Sequence, residues 1–317
     1  MKVKTIFLGS GEFAVPILKR LLELEYIQLD AVITQPDKPV GRKQILTPTP
    51  VGQFIEKEIN EGRANVDVLK PEKLRTESHE ILKRYEPELV LVASYGQIIS
   101  SDFLNYPKYK ALNFHGSLLP KLRGAVPVPI AILQGFKETG VTLQVMAEKM
   151  DEGPIVATKT IEVAEKETAE SLMERLANLA VEIMDESLIK WIQGEIQPIE
   201  QNHSEATYCY KTDISKEKAE ITKDTDCEVA DRMVRAFYPW PVAWFRLRNG
   251  KILKIYKAEI ADFENIPEIE NKDSDILRVR NELHLRLNNC FLKLIEVQLE
   301  GKNRGEAKDY LYLSNLS

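Results

Sequence analysis

The chain has 317 residues, of which 44% are hydrophobic and 29% charged, and its formal net charge is −6. This length and composition predict a soluble globular protein of two domains. They exclude a membrane span, because no apolar run approaches the roughly 20 residues that a bilayer requires. The negative charge argues against a simple nucleic-acid-binding module. The N-terminus lacks a leader-like apolar segment, which predicts a cytoplasmic location.

The cysteines Cys209, Cys227 and Cys290 are scattered and form no C-x-x-C pair. An odd number at such spacings argues against a disulfide framework and against a cysteine zinc site. We also find no cluster of histidine and aspartate in the pattern of a metal centre. The sequence therefore predicts unpaired thiols and no metal.

The first unit of the chain is predicted to be a strand, a glycine turn and a helix. Residues 3–8 form an apolar run rich in β-branched and aromatic residues, and helical spacing follows. The turn matches the dinucleotide fingerprint through Gly9, Gly11 and Ala14, and Asp30 lies near the expected ribose-binding distance. These residues fit an NAD-dependent enzyme, but a glycine turn between strand and helix is also a general packing device, which is the favoured interpretation.

A predicted strand at residues 29–34 leads into a proline-rich loop at residues 35–50. Four prolines and a glycine predict no regular structure there. A loop this long inside a compact domain is usually functional or disordered. It carries Lys38, Arg42 and Lys43 against a single aspartate. A lid that reaches a phosphate and a solvated basic loop both fit this charge.

Helical and strand patterns alternate through the rest of this half. We predict helices at residues 51–61 and 77–85, a short strand at 65–69, and a buried parallel strand within residues 88–99. Such alternation is typical of an α/β fold. It predicts a Rossmann-like, mostly parallel sheet with helices on both faces.

The stretch 111–127 carries the residues best suited to chemistry. In a strand, Asn113 and His115 share one face while Leu112 and Phe114 share the other. An amide and an imidazole at a strand's carboxyl end can donate hydrogen bonds to an oxygen that gains charge when a carbonyl is attacked. The alternative is a capped turn beside a structural histidine.

Beyond this stretch we predict a helix at residues 125–134, a strand at 139–147 and an amphipathic helix at 167–191. Asp151 lies in a glycine-proline turn, where aspartate is common for structural reasons alone. The polar residues 195–211 are interpreted as a linker.

The last third of the chain changes to strand patterns. Thr225 and Glu228 form a predicted capping box before a short helix, and Asn249-Gly250 predicts a hairpin. Alternating strands follow, at residues 276–279, 283–287 and 291–297. They predict a small, mainly antiparallel β-barrel (OB-like). Residues 244–257 include five basic residues and no acidic one, which fits a phosphate contact or a solvated hairpin face.

Two strings in the chain resemble the formyltetrahydrofolate-dependent formyltransferases. They are Asn-Phe-His-Gly-Ser-Leu-Leu-Pro-Lys-Leu-Arg-Gly-Ala-Val-Pro at residues 113–127 and Asp-Glu-Gly-Pro at residues 151–154. Within that superfamily, His-Gly-Ser-Leu-Leu-Pro and the Arg-Ala-Phe-Tyr-Pro-Trp-Pro of residues 235–241 are similar to the methionyl-tRNA formyltransferase family. The resemblance runs along nearly the whole chain.

The resemblance implies transfer of a formyl group from 10-formyltetrahydrofolate to the α-amine of methionyl initiator tRNA, with no metal and no membrane or obligate protein partner. It implies that Asn113 and His115 stabilise the oxyanion and that Asp151 is the carboxylate partner of His115 and a proton relay. The residues implied to line the folate site are Ser94, Tyr95, Gly96, Ile98, Ser117, Leu118, Leu119 and Pro120. Those implied to contact the tRNA acceptor end are Lys38, Arg42 and Lys43.

The resemblance also implies a catalytic domain at residues 1–194, a linker at 195–211 and a tRNA-contacting barrel at 212–317. Two departures put local contacts in question: Lys121 stands where the family usually has arginine, and residues 128–130 replace a segment that commonly carries Gln-Arg. Three other enzymes remain open on sequence grounds: a formyltransferase for a nucleotide sugar or small amine, a formate-releasing hydrolase and the NAD-dependent enzyme.

Overall fold

The computed structural model describes residues 2–41, 43–261, 274–288 and 290–315. Its strands are β1 (Val3–Gly9), β2 (Ile27–Ile33), β3 (Lys38–Val40), β4 (Ile45–Thr47), β5 (Asp67–Leu69), β6 (Leu89–Ala93), β7 (Ala111–His115), β8 (Arg123–Gly124), β9 (Glu138–Val145), β10 (Ile155–Glu162), β11 (Tyr208–Cys209), β12 (Glu220–Ile221), β13 (Ala243–Arg246), β14 (Ile252–Ile260), β15 (Ile276–Val279), β16 (Glu282–Arg286), β17 (Phe291–Leu299) and β18 (Gly305–Glu306). Its α-helices are α1 (Ala14–Glu23), α2 (Pro50–Asn60), α3 (Leu74–Tyr85), α4 (Ser101–Asn105), α5 (Pro127–Leu133), α6 (Ala169–Ile192) and α7 (Cys227–Ala236). Short 3-10 segments lie at His203–Glu205, Lys211–Ile214, Glu217–Ala219 and Ala307–Asn315.

The chain forms two compact units. The first comprises Met1–Pro127, Glu138–Glu162 and Met173–Tyr208. The second comprises Val128–Lys137, Val163–Leu172 and Cys209–Ser317. Most of the segment interpreted as a linker, residues 195–208, therefore belongs to the first unit. The division at 1–194, 195–211 and 212–317 stays a prediction.

The first unit is built on a mostly parallel sheet, as predicted. Its strand order is β10-β9-β7-β6-β1-β2-β5. The pairs from β7 through β5 are parallel, whereas β9 pairs antiparallel with both β7 and β10. No strand was predicted at β10, where Val156 alone is buried and exposed residues alternate with half-buried ones. The antiparallel strands extend the sheet beside β7.

Helices cover both faces of this sheet. On one face, side chains of α3 and α4 pack on Ile6, Leu8, Val90 and Val92. The strand residues that point the other way are buried as well, and Phe7 is fully buried. Strands buried on both faces read as continuous apolar runs, which is the pattern that predicted them.

The expectation of no regular structure at residues 35–50 is wrong. Strands β3 and β4 form a two-stranded antiparallel hairpin in which Pro39 pairs with Leu46. Proline is tolerated there because each strand of an isolated ribbon has a free edge. Gly41 at the turn has φ +71°, a conformation that glycine adopts without strain. Pro50 begins α2, and the side chain of Thr49 caps that helix by accepting from Gly52 N.

The second unit contains a mainly antiparallel sheet, as predicted. Its order is β12-β13-β14-β17-β16-β15, and β18 pairs with β17. The Asn249-Gly250 turn joins β13 to β14 in an antiparallel pair. Helix α7 packs into the core of this unit through Ala230, Met233 and Val234. The predicted capping box is displaced by one residue, because Asp226 caps α7 by accepting from the N–H groups of its first turn.

The prediction of three unpaired cysteines is wrong. Cys227 and Cys290 form a disulfide, and Cys209 is buried and takes no part in it. The bond joins residues 63 positions apart, and such a separation carries no local sequence signal. It connects the first residue of α7 to the residue before β17.

Reduction of this disulfide is expected to lower the free energy of unfolding by about 2–4 kcal/mol, because the bond restricts the unfolded chain. Chemical denaturation with and without a thiol reductant measures the change. The Cys227→Ser variant is the matched control, since reductant then has no bond to break. Titration of three free thiols in the unreduced, unfolded protein would contradict the pairing.

Candidate active site

The predicted catalytic pair lies at the carboxyl end of β7. Asn113 and His115 share one face of this strand, which lies between parallel β6 and antiparallel β9. Asn113 is half-buried and His115 is buried. Within the described ranges, the side chain of Asn113 makes no hydrogen bond. Its amide is therefore available to a ligand at the edge of the sheet where α/β folds bind their substrates.

The structure brings His115 and Asp151 together. His115 Nδ1 lies 3.6 Å from Asp151 Oδ1. The other ring nitrogen, Nε2, lies 2.9 Å from Leu122 O. A carbonyl oxygen can only accept, so Nε2 carries the proton of that contact and Nδ1 is the nitrogen that faces the carboxylate.

The carboxylate of Asp151 is oriented by two donors. Gly124 N donates to Oδ2 at 2.8 Å, and Gln144 Nε2 donates to Oδ1 at 2.9 Å. Asp151 itself has φ +55°, a left-handed conformation that a residue other than glycine adopts only when its surroundings hold it there. The carboxylate is thus held with Oδ1 toward His115 and Oδ2 on the backbone of Gly124.

Gln144 was not predicted as a site residue. It lies on β9 directly opposite Asn113, and side chains directly opposite on an antiparallel pair lie on the same face. Only the strand register places its amide beside Asp151, and register cannot be read from residues 139–147 alone.

The loop implied to hold the folate begins directly after β7. Thr142 lies opposite His115. Its hydroxyl donates to Ser117 O at 2.7 Å and accepts from Leu119 N at 3.1 Å. Ser117 and Leu119 are buried, whereas Leu118 and Pro120 are partly exposed. The loop is thus fixed to β9, next to the catalytic pair, with two of the four implied residues accessible.

The other residues implied for the folate site follow β6. Ser94, Gly96 and Ile98 are exposed, and Ile98 is 76% exposed. The ring of Tyr95 lies instead in the core of the first unit, and burial raises the pKa of its hydroxyl. Its carbonyl accepts from Gln35 Nε2 at 2.6 Å. In this set, Ser94 and Ile98 can offer side chains to a ligand, and Gly96 can offer its backbone.

The basic residues implied to contact tRNA belong to the β3–β4 hairpin. Lys38 and Lys43 are exposed, and Lys38 Nζ donates to Gln35 Oε1 at 3.2 Å. Arg42 lies outside the described residues. Exposed apolar side chains, Val40 and Leu46 among them, accompany the lysines.

The glycine turn after β1 is used for packing. A Cβ on Gly9 would lie 2.6 Å from Phe7 Cε1 and 3.1 Å from Ala93 O. The N–H groups of Ser10 and Gly11 donate to Ser94 O at 3.1 and 3.3 Å. Two N–H groups of this turn are therefore already bonded within the protein, which favours the packing function over the NAD-dependent enzyme.

Two features are absent from the described part of the chain. Within residues 2–41, 43–261, 274–288 and 290–315, no group of three or more His, Cys, Asp or Glu side chains is placed to hold a metal ion. No helix there is both long and apolar enough to cross a bilayer. The polar groups gathered at the site are an amide, an imidazole and a carboxylate.

Comparison with known structures reproduces the fold. HypX from Aquifex aeolicus, in complex with tetrahydrofolic acid, aligns with a TM-score of 0.65 at 17% identity, covering 98% of this chain and 47% of HypX. The chain thus spans about half the length of HypX. An N-formyltransferase from Helicobacter canadensis, in complex with folinic acid and dTDP-3-aminofucose, aligns with a TM-score of 0.65 at 17% identity, covering 93% and 100% of the two chains. At these identities the likeness shows the fold alone.

Comparison of sequences shows the family. A family model described as "Formyl transferase" matches residues 1–188, and "Formyl transferase, C-terminal domain" matches residues 213–314. A methionyl-tRNA formyltransferase of Bacillus cereus (strain G9842) is 37% identical over 316 residues, covering 98% of this chain and 95% of that protein. One of Halalkalibacterium halodurans is 39% identical over 311 residues, covering 98% and 94%. The chain therefore belongs to the methionyl-tRNA formyltransferase family and is a formyl-transferring enzyme.

Proposed function

We propose that this protein transfers the formyl group of 10-formyltetrahydrofolate to the α-amine of methionine on initiator tRNA. The observation that carries the proposal is the His115–Asp151 pair beside the unbonded amide of Asn113, at the carboxyl end of the parallel strands. The names of the B. cereus and H. halodurans relatives support the acceptor. The folate compounds in the structures of the more distant relatives support the donor.

The reaction needs no protein nucleophile. An α-amine titrates near pH 8, so part of the methionyl amine is neutral at neutral pH and can attack the formyl carbon directly. The C–N bond to methionine forms, the carbonyl oxygen becomes an oxyanion, and the bond to folate N10 then breaks. Folate N10 takes up one proton, and the amine releases one.

Three side chains divide this work in our proposal. Asn113 Nδ2 donates to the oxyanion, where a fixed donor is most effective. His115 Nε2 donates to Leu122 O, so Nδ1 is the nitrogen that, when it carries a proton, donates to the oxyanion. Asp151 orients His115 and accepts the proton of the amine, directly or through water. Leu118 offers apolar contact to the pterin, and the β3–β4 hairpin with Lys38, Arg42 and Lys43 approaches the acceptor end.

Single-turnover transfer of labelled formyl from 10-formyltetrahydrofolate tests this function. We expect label on methionyl initiator tRNA and none on uncharged initiator tRNA, which has the same phosphates but no α-amine. Consumption of the folate without label on the tRNA would overturn the acceptor. A nucleotide-sugar amine assayed in parallel would then identify a different acceptor class. An untouched folate in folded protein would overturn the reaction itself.

A further inference from the structure

A buried arginine lies behind the site. Arg123 is 1% exposed. Its Nε and Nη2 donate to Gln201 Oε1 at 3.2 and 2.7 Å, and Nη2 also donates to His203 Nδ1 at 2.9 Å. Its Nη1 donates to Tyr208 Oη at 3.2 Å and lies 3.4 Å from Glu152 Oε1. A buried guanidinium needs such a set of acceptors, because a buried charge without partners is strongly destabilising.

These contacts determine the orientation of Gln201. Because arginine only donates, the oxygen of the Gln201 amide must face Arg123 and its nitrogen must point the other way. That nitrogen donates to Asp151 O at 2.8 Å and to Gly153 O at 2.7 Å. Gln201 is 5% exposed, so water competes little for these bonds. Arg123 and Gln201 together hold the backbone of the turn that presents Asp151.

The turn needs this support. Asp151 has φ +55°, a left-handed conformation that a residue with a Cβ adopts less readily than glycine. Gly153 packs so closely on β9 that a Cβ there would lie 1.7 Å from Val145 O. The turn is therefore pressed against the strand on one side and hydrogen-bonded to Gln201 on the other.

Thr207 fixes the segment that connects His115 to Asp151. Leu122 N donates to Thr207 Oγ1 at 2.8 Å, and Arg123 N donates to Thr207 O at 2.8 Å. Leu122 O accepts from His115 Nε2. The N–H of Gly124, the residue after Arg123, donates to Asp151 Oδ2. The 201–208 segment thus holds the partners of both side chains.

We propose that the 201–208 segment positions Asp151 against His115, with Gln201 as the positioning residue and Arg123 as its anchor. This inference rests on the proposed function, because it assigns the segment a part in the same reaction. Gln201 touches no substrate. Gln201 affects the 3.6 Å separation between His115 Nδ1 and Asp151 Oδ1 and the direction of these two side chains. A displacement of a catalytic group by about 1 Å can lower the rate roughly 10²-fold.

The Gln201→Glu variant separates the contact of Gln201 with Arg123 from its contacts with the turn that presents Asp151. A carboxylate still accepts from Arg123, but it cannot donate to the carbonyls of Asp151 and Gly153. We expect kcat to fall by about 10- to 100-fold, while KM for the folate and for methionyl-tRNA changes by less than about 3-fold, since only the chemical step is affected. Gln201→Met, which removes donor and acceptor at similar volume, should show the same loss of kcat with a lower melting temperature.

Gln298→Glu is the matched control. Gln298 also accepts from a side chain, Tyr256 Oη, and donates to a carbonyl, Lys302 O, both at 2.9 Å, but it lies in the second unit. Its kcat and its KM for the folate should equal those of the unaltered protein. Unchanged kcat in both folded Gln201 variants would overturn the inference. The inference would also be overturned if kcat and KM both changed in proportion to the loss of melting temperature, because a merely structural role gives that result.

Hydrogen exchange supplies a readout that does not depend on the acceptor. The Gly124 amide donates to Asp151 Oδ2, so release of the turn should accelerate its exchange by at least about 10-fold in Gln201→Glu, while amides of β6 keep their protection. Unchanged protection at Gly124 would overturn the inference whatever the substrate. Absence of transfer by the unaltered protein, with the exchange result as expected, would instead overturn the proposed function alone.

Discussion

The Asp151→Asn variant should transfer the formyl group about 10²- to 10⁴-fold more slowly than the unaltered protein in single turnover, which is the range for loss of a general base. Gly124 N requires an acceptor, so the asparagine oxygen is expected to face it. The new amide nitrogen then faces His115 and the donor Gln144 Nε2. Two donors oppose each other there, and nothing remains to accept the proton of the amine.

Asp185→Asn is the control for this substitution. Asp185 pairs with Arg20 at 2.8 Å on an exposed surface of the first unit, and such pairs contribute ~0–1 kcal/mol to stability. Its transfer rate should equal that of the unaltered protein. An Asp151→Asn protein that folds and keeps more than half of the rate would remove Asp151 from the mechanism.

The Asn113→Ala variant should lower the rate of the chemical step by about 10²- to 10³-fold, because one oxyanion donor typically contributes that much. The side chain of Asn113 has no partner among the residues that the structure describes, so its removal leaves no protein donor or acceptor unsatisfied. We therefore expect the melting temperature and KM for the folate to be retained while kcat falls.

Asn105→Ala tests the same chemical change elsewhere. Asn105 is exposed and donates to Ser101 O at 2.9 Å within α4, and its loss should leave kcat unchanged. If Asn113→Ala raises KM for the folate and leaves kcat intact, Asn113 binds the substrate uniformly and does not stabilise the transition state.

The fold could be predicted where a single period dominates a stretch of sequence. The strands β1 and β6 are continuous apolar runs, and buried positions four residues apart, such as Ile17 and Leu21 in α1, mark a helix. The β3–β4 hairpin was missed because its prolines suggested a loop, although the edge of a two-stranded ribbon accepts them. The disulfide was missed because Cys227 and Cys290 meet only through the packing of the second unit.

The site could be predicted only in part, for a similar reason. A period of two places Asn113 and His115 on one face of β7, and this needs no tertiary information. Asp151 was expected beside His115 from resemblance alone. Gln144 and Gln201 had no signal, and Arg123 lies within the string at residues 113–127 without a pattern that marks it as buried. The Arg123–Gln201 contact spans 78 positions.

The hydrogen bonds that the turn after β1 makes within the protein affect which metabolites can bind at that turn. Nucleotides are abundant metabolites, and a strand-turn-helix with free N–H groups attracts their phosphates. Here the carbonyl of Ser94, turned back by a φ of +49°, receives the N–H groups of Ser10 and Gly11. The protein thus supplies its own substitute for a phosphate oxygen. These two N–H groups are thus withheld from the phosphates of adenylates, the anions that a strand-turn-helix of this kind otherwise binds.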